Sequence, residues 1–280
     1  MLLRFPVVLS VGPLQISAHA IFESLGYTVG FWLHRYLKRR QGDFLPSSDR
    51  YTVIVAAILG AAIGSKFLNW FEDPFALLHH LFDLNYLLSG KTIVGGLLGA
   101  TLAVEWIKRR SGITRRTGDL FALPIIAGMA IGRIGCFLAG LPDGTCGTAT
   151  SLPWGVDFGD GIHRHPTQLY EVGFLLVLGL WIERRSRSPH REGDLFRLFF
   201  LTYLLFRIAI DFLKPGVTIL GMTAIQWSCV IAILAYWRDI FFWLAPRSIR
   251  AEWEIASALT SSTTPPSPSA PPVIGEATPR

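Results

Sequence analysis

The sequence contains little charge. Asp, Glu, Lys and Arg together make up 16% of its 280 residues, hydrophobic residues make up 51%, and the mean hydropathy is +0.41. Soluble globular domains usually carry about 25% charged residues, so this composition argues against a soluble protein. The sequence also lacks the alternating segments of about ten residues that are typical of transmembrane β-barrel strands. We therefore predict an all-α integral membrane protein.

Two connecting regions, 71–90 and 141–163, contain no Lys or Arg at all. Long apolar stretches lie on either side of them, and each approaches the roughly 17–25 residues that cross a bilayer as a helix. These stretches predict a bundle of seven transmembrane helices, at about 18–36, 51–70, 92–107, 120–140, 166–182, 195–213 and 219–244.

Three other connecting regions, 34–40, 108–116 and 184–191, are strongly basic and alternate with the two that lack Lys and Arg. Because cytoplasmic loops carry the excess of Lys and Arg, the N-terminus is predicted to lie outside and the C-terminus in the cytoplasm. This topology accounts for the net charge of +6, so nucleic-acid binding is not predicted. The first 15 residues have no small-residue cleavage site and are not predicted to be a signal peptide.

The chain has only three cysteines, Cys136, Cys146 and Cys229, and their spacing matches no metal-binding motif. We therefore predict neither a metal nor a cofactor. Cys136 and Cys146 are both expected near the outer end of the fourth span. A disulfide between them and buried free thiols are the two alternatives.

Composition divides the chain into three parts. Residues 1–244 contain the predicted spans, and 245–260 contain an amphipathic stretch next to the membrane. Residues 261–280 are rich in Pro, Ser and Thr and predict a disordered cytoplasmic tail.

Arg133 lies inside the apolar stretch 125–140. An ionisable group at membrane depth costs at least a few kcal/mol, so it usually faces a partner, a polar ligand or a water-filled cavity. Most of the other polar residues of the spans also fall toward the predicted outer side, which indicates one polar cavity open to the outer leaflet. They are His19, Glu23, Lys66, Asn69, Lys91, His165, Gln168, Glu171, Arg207, Asp211, Lys214 and Gln226.

Two interpretations of this polar set remain open. Arg207 and Asp211 are four residues apart and share a helix face, and Glu171 could neutralise Arg133, which would make the set a structural network. Fixed cations nevertheless outnumber anions in it, with Lys66, Lys91, Arg133, Arg164, Arg207 and Lys214 against Glu23, Glu171 and Asp211. An excess of arginine favours an anionic ligand, and a phospholipid phosphate is the obvious anion at an outer leaflet.

Several strings between about residue 5 and residue 243 resemble the prolipoprotein diacylglyceryl transferase family. The most specific is Arg164-His165-Pro166-Thr167-Gln168-Leu169-Tyr170-Glu171. The others are Gly95-Gly96-Leu97-Leu98-Gly99, Gly132-Arg133-Ile134-Gly135-x-Phe137, Phe206-Arg207 followed by Asp211, and Gly221-Met222-Thr223 followed by Gln226.

The resemblance implies an enzyme of the bacterial cytoplasmic (inner) membrane. Such an enzyme moves the diacylglyceryl group of phosphatidylglycerol to the thiol of a lipobox cysteine in a prolipoprotein and releases glycerol 1-phosphate. It also implies that Arg133 and Arg207 bind phosphatidylglycerol, with Asp211 where the family has glutamate. The remaining residues assigned to substrate binding are Gly95, Gly96, Cys136, Arg164, Gln168 and Tyr170, and Glu171 is assigned to the catalytic set.

The sequence departs from the family pattern at four places. Val94 replaces a histidine, Cys136 an asparagine, Leu141 an acidic residue, and His19-Ala20 a Tyr-Gly pair. His19 or His165 is therefore the candidate general base. These departures leave two alternatives: a relative that uses an anionic phospholipid with a different acceptor, and a non-catalytic membrane protein that binds or transports lipid.

Overall fold

The computed structural model describes residues 4–42 and 47–244, and the segments predicted at 245–260 and 261–280 lie outside these residues. The described chain is mostly helical. In order, its helices are α1 (Ala18–Gln41), α2 (Ser47–Trp70), α3 (Pro74–His79), α4 (Leu84–Leu88), α5 (Ile93–Arg110), α6 (Asp119–Ala139), α7 (Thr167–Ser186), α8 (Asp194–Asp211), α9 (Ala224–Ala235) and α10 (Trp237–Leu244).

The first six predicted spans each coincide with one long helix, α1, α2, α5, α6, α7 and α8. The seventh prediction was wrong in its extent, because the helix begins at Ala224 rather than 219 and the segment is divided into α9 and α10 at Tyr236. Two helices, Ser48–Trp70 and Asp119–Ala139, meet both the length and the apolarity of a membrane span in the described chain, and Ala224–Ala235 is a shorter apolar helix. Polar and charged residues keep α1, α5, α7 and α8 from meeting the same criterion.

The connecting regions contain small β-hairpins that the sequence did not predict. Strands β1 (Val8–Val11) and β2 (Leu14–Ser17) pair in antiparallel fashion immediately before α1. Strands β3 (Val156–Asp157) and β4 (His163–Arg164) do the same before α7. The first hairpin leads directly into α1, and the second ends two residues before α7.

Glycines bring the long helices into backbone contact in two pairs. A Cβ added to Gly64 of α2 would overlap the backbone of Gly95 and Gly99 in α5. A Cβ added to Gly26 of α1 would lie 2.7 Å from the carbonyl oxygen of Gly128 in α6. Small residues at such contacts let helix backbones approach closely, so these pairs fix where α2 meets α5 and α1 meets α6.

The three basic regions lie at one end of these helices. Arg115 forms an ion pair with Glu192, and Asp119 accepts a hydrogen bond from the backbone N–H of Gly193 at 2.7 Å. The ring of His34 near the end of α1 stacks on Phe121 with 4.4 Å between centroids. Because these contacts join the end of α1, the start of α6 and the connection from α7 to α8, the regions without Lys and Arg lie at the opposite end.

The long helices also present large apolar side chains at their surface. Leu176, Val177 and Leu180 of α7 are exposed, as are Ile58 and Ile63 of α2. A water-soluble monomer rarely exposes extended apolar surface. The fold is therefore compatible with an all-α membrane protein.

Candidate active site

The loop before α7 is tied down by hydrogen bonds that fix where this helix begins. The backbone N–H of Gly147 donates to the carbonyl of His165 at 2.9 Å, and the N–H of His165 donates to the carbonyl of Thr148 at 3.1 Å. The hydroxyl of Thr167 donates to the carbonyl of Thr145 at 2.6 Å. As a result the first turns of α7 bury Thr167, Gln168 and Glu171.

The carboxylate of Glu171 lies between two arginines contributed by different helices. Its Oε2 atom is 2.9 Å from Nε of Arg133 in α6 and 3.4 Å from Nη1 of Arg207 in α8. Its other oxygen, Oε1, accepts a hydrogen bond from the hydroxyl of Tyr203 at 2.7 Å. Exposure of the side chain is 6% for Arg133 and 1% for Glu171. Three helices thus converge on one buried carboxylate.

The same cluster continues along α8. Nη2 of Arg207 is 2.7 Å from Oδ1 of Asp211, and Nζ of Lys214 is 3.7 Å from the same oxygen. The buried side chains of Arg133 and Arg207 and the partly exposed side chain of Lys214 therefore face the two carboxylates of Glu171 and Asp211. Glu72, in the connection after α2, also lies within electrostatic range of Arg207, and burial raises its pKa.

Both arginines retain hydrogen-bonding capacity. The Nε atoms of Arg133 and Arg207 are buried and make no aligned hydrogen bond with any described residue, although Nε of Arg133 lies close to Glu171. Nη1 of Arg133 contacts Sγ of Cys136 at 3.7 Å. A guanidinium carries five N–H donors in a planar fork that suits phosphate and carboxylate oxygens, so the cluster has the donors that an anion requires.

Three predicted residues at or just before the start of α7, His165, Gln168 and Tyr170, contact each other and the preceding loop rather than the ions of this cluster, and we call them the rim. The Tyr170 hydroxyl accepts from Nε1 of Trp154 at 2.8 Å and lies 3.2 Å from Nδ1 of His165. Gln168 donates to Sγ of Cys146 at 3.4 Å. Burial raises the pKa of the Cys146 thiol.

Arg164 is paired within its own loop. Its Nη2 atom is 2.6 Å from Oδ2 of Asp160, and this hydrogen bond holds the pKa of Asp160 below its usual range. The charge of Arg164 is therefore balanced by Asp160 in the same loop.

A second polar cluster surrounds His19 at the start of α1. Nε2 of the ring is 3.5 Å from Oε2 of Glu23, and Nδ1 is 3.6 Å from Oδ1 of Asp143. Glu23 also accepts a hydrogen bond from Lys91. The coordinating atoms of His19, Cys136 and Asp143 all lie within 4.8 Å of one another.

Gly95 and Gly96 lie in the first turn of α5, where Gly95 contacts the backbone of Gly64 in α2. Val94 beside them is fully buried and offers no polar atom. The three cysteines are free thiols, so the Cys136–Cys146 disulfide considered as one alternative is not formed.

Two residues of these clusters were missed by the sequence reasoning. Tyr203 lies four residues before Arg207 on α8, and this helical spacing could have pointed to it. Asp143 comes from a short 3₁₀ turn, Leu141–Asp143, and no periodic pattern links it to His19.

Comparison with known proteins provides a match over most of the chain. A model of the family described as prolipoprotein diacylglyceryl transferase matches residues 6–243. A phosphatidylglycerol–prolipoprotein diacylglyceryl transferase of Nitratidesulfovibrio vulgaris (strain DP4) is 32% identical over 237 residues, which cover 82% of this chain and 88% of the relative. A protein of the same name from Bordetella avium (strain 197N) is 32% identical over 231 residues, covering 78% of this chain and 85% of the relative.

Proposed function

The chain belongs to the prolipoprotein diacylglyceryl transferase family, and we propose on that premise that it is a phosphatidylglycerol–prolipoprotein diacylglyceryl transferase. It transfers the diacylglyceryl group of phosphatidylglycerol to the lipobox cysteine thiol of prolipoproteins. Glycerol 1-phosphate is the second product. The observation that carries the proposal is the buried pair Arg133 and Arg207, held around Glu171, with the buried Nε of Arg207 making no hydrogen bond to any described residue.

The enzyme spans the bacterial cytoplasmic membrane seven times, with the N-terminus outside and the C-terminus in the cytoplasm. The gathering of the basic regions at one end of the helices supports this topology, because Lys and Arg concentrate on the cytoplasmic side. Under this topology the arginine cluster and its rim face the outer leaflet, from which phosphatidylglycerol enters.

In the reaction, the acceptor sulfur forms a bond to the carbon of the diacylglyceryl group that carries the phosphate ester. The bond between that carbon and the ester oxygen breaks. The electron pair and negative charge pass to the departing glycerol phosphate. Arg133 and Arg207 hold this phosphate and stabilise the charge that grows on it in the transition state. The thiol proton goes to a general base, since an unperturbed thiol with a pKa of about 8.5 is mostly protonated at neutral pH.

His19 and His165 are the candidates for that base. Nδ1 of His165 is 3.2 Å from the Tyr170 hydroxyl on the rim. His19 belongs to the second polar cluster, where it lies next to Cys136. The sulfur of Cys136 in turn contacts Arg133. The test replaces each histidine separately with glutamine and measures the pH profile of the transfer rate. The base is the histidine whose replacement removes the fall in rate at acidic pH.

The test of the function is complementation of a conditional transferase-null bacterium, together with glycerophosphate release from labelled phosphatidylglycerol. Arg133→Lys or Arg207→Lys is expected to lower the release rate about 100-fold, because lysine lacks the planar fork and loss of one transition-state donor costs about 10²–10³ in rate. The exposed Arg187, which directly follows α7, supplies the control, Arg187→Lys. Lipid that binds without turnover in the wild type would identify a non-catalytic lipid-binding protein instead.

A second candidate function is transfer from an anionic phospholipid to a different acceptor. It is favoured by the fully buried Val94, which provides no polar group beside the paired glycines, and by the thiol of Cys136 next to Arg133. Mass spectrometry of lipids and lipoproteins after overexpression separates the two functions. A diacylglyceryl-modified lipoprotein peptide as the sole product excludes the second.

A further inference from the structure

The second polar cluster brings together three different metal-ligand chemistries from distant parts of the chain. His19 belongs to α1, Cys136 to α6 and Asp143 to the turn that follows α6, and their coordinating atoms all lie within 4.8 Å of one another. We propose that these three side chains form a binding site for a zinc-class divalent cation. The ligands are an imidazole nitrogen, a thiolate sulfur and a carboxylate oxygen.

The distances suit a tetrahedral ion. With bond lengths of roughly 2.0–2.3 Å, the ligand atoms of a tetrahedral zinc site lie about 3.4 Å apart. Nδ1 of His19 and Oδ1 of Asp143 are already 3.6 Å apart. Small side-chain rotations therefore close the set, and three protein ligands leave a fourth position for water, as in open zinc sites.

One of the ligand atoms lacks any other use in the described part of the chain. Nδ1 of His19 is buried and makes no hydrogen bond, although Oδ1 of Asp143 lies nearby. A buried polar atom without a hydrogen bond is unfavourable unless it has another partner. A cation between Nδ1 and the carboxylate supplies that partner.

The groups around the cluster match the supporting contacts of metal sites. Nε2 of His19, on the far side of the ring, is 3.5 Å from Oε2 of Glu23, and metal-bound histidines commonly donate their second N–H to a carboxylate. The hydroxyl of Thr145 donates to the second oxygen of Asp143. Arg133 donates to the sulfur of Cys136 from 3.7 Å, which stabilises the thiolate that binds the metal.

The ligand set also selects the kind of ion. A thiolate and a carboxylate together neutralise a dication. Thiolate and imidazole favour zinc and similar transition metals, whereas magnesium and calcium prefer oxygen ligands alone. Lys91 lies beyond Glu23, which neutralises its charge. Lys91 therefore adds little net repulsion of the bound cation.

The proposal does not rest on the transfer reaction, because it concerns binding of an ion. It has one consequence for that reaction. A metal on His19 occupies the imidazole and leaves His165 as the general base.

The experiment is cobalt titration of the full-length protein, purified in detergent under reducing conditions after removal of metals by a chelator. Co²⁺ is the probe because a cobalt–thiolate bond absorbs in the near ultraviolet and tetrahedral cobalt absorbs in the visible. One equivalent of Co²⁺ is expected to bind with both bands, and Zn²⁺ is expected to displace it. Absence of the thiolate band in the wild type would overturn the proposal.

Variants assign the ligands. Cys136→Ser is expected to abolish the thiolate band, and Asp143→Asn and His19→Gln are each expected to weaken Co²⁺ binding at least 10-fold. Glu23→Gln, which removes the carboxylate beside Nε2 of His19 and the counter-charge of Lys91, should weaken it about 10-fold. Cys229→Ser is the matched control, because Cys229 is buried in α9 and should leave the band unchanged.

Protein stability provides an independent measurement that does not depend on spectroscopy. Zn²⁺ is expected to raise the melting temperature of the wild type and of Cys229→Ser, since an ion that binds only the folded state stabilises it. It should leave the melting temperature of Cys136→Ser unchanged. An equal rise in Cys136→Ser and wild type would contradict the site, and a variant that fails to fold is recognised by its melting curve without metal.

Discussion

Glu171 is the counter-charge that both buried arginines share, and Arg207 has a second one in Asp211. Its Oε2 atom contacts both Arg133 and Arg207, and its Oε1 atom accepts a hydrogen bond from the Tyr203 hydroxyl. Removal of one partner from a buried ion cluster leaves uncompensated charge, which is destabilising by about 3–5 kcal/mol. The stability of three helices therefore rests partly on this side chain.

Glu171→Gln is expected to lower the free energy of unfolding by about 3–5 kcal/mol, because two buried guanidinium groups lose their shared anion. Thermal or chemical unfolding in detergent measures this change. The matched control is Glu183→Gln on the same helix, where Glu183 pairs with the exposed Arg187 four residues later. Exposed pairs contribute about 0.2–1 kcal/mol, so a loss at Glu183 as large as at Glu171 would contradict the interpretation.

At the residue scale, the sequence predicted the contacts of the arginine cluster but not those of the second polar cluster around His19. Arg133 was identified because a lone arginine in an apolar helix requires a partner, and Arg207 with Asp211 because four residues separate them. Asp143 approaches His19 only through the fold, since more than a hundred residues separate them in the chain. Spacing rules describe neighbours on one element, so they could not predict this contact.

At the element scale, the contact between α2 and α5 depends on glycine rather than on large side chains. Gly60 and Gly64 on α2 meet Gly95 and Gly99 on α5 so closely that a methyl group at any of the four overlaps the opposing helix. The packing of backbone on backbone is extensive, and hydrogen bonds from Thr92 to the carbonyl of Ser65 reinforce it.

Gly64→Ala is expected to destabilise the protein by about 1–3 kcal/mol, the usual effect of forcing an extra group into a well-packed contact. Gly96→Ala is the control in the facing helix, because its Cβ would lie 3.7 Å from the nearest atoms, an ordinary contact. That replacement should be neutral or stabilising by up to about 1 kcal/mol, since alanine favours a helix over glycine. Equal melting temperatures for the two variants would show that the close approach is not important for stability.

The helices were the elements that sequence predicted best, because continuous apolar stretches of about twenty residues have few alternatives. The seventh span and the hairpins were less accessible. The break at Tyr236 follows no proline or glycine, and the paired strands before α1 and α7 are only four and two residues long. Such short strands depend on tertiary contacts rather than on an alternating pattern of their own.

At the scale of the whole molecule, charge and aromatic residues mark the same end of the helices. Exposed Trp32, Trp106 and Trp181 lie in the later turns of α1, α5 and α7, near the basic regions. Arg35 lies over the ring of Trp32 at 5.5 Å, and Arg110 lies over Trp106 at the same distance. Tryptophan is enriched where a bilayer meets water, so this end is expected to contact the cytoplasmic headgroups.

Reporter fusions test the orientation. Green fluorescent protein fused after residue 114, 190 or 244 should fluoresce. The first two points lie within predicted cytoplasmic regions, and the third lies at the predicted cytoplasmic end of the last span. Alkaline phosphatase fused after residue 78 or 152 should be active, because that enzyme needs the oxidising outer compartment. Phosphatase activity after residue 190 with none after residue 152 would show that the topology is inverted.

The carboxylate between Arg133 and Arg207 has a kinetic meaning for any lipid that enters. It is an anion supplied by the protein, and it already occupies some of the guanidinium donors that a phosphate would use. We expect an incoming headgroup to compete with Glu171 for the two arginines, and Glu171 to contact them again when the headgroup leaves. Such an internal competitor is expected to weaken retention of the lipid and to speed its exchange, which is an advantage for a catalyst that must empty its site at every turnover.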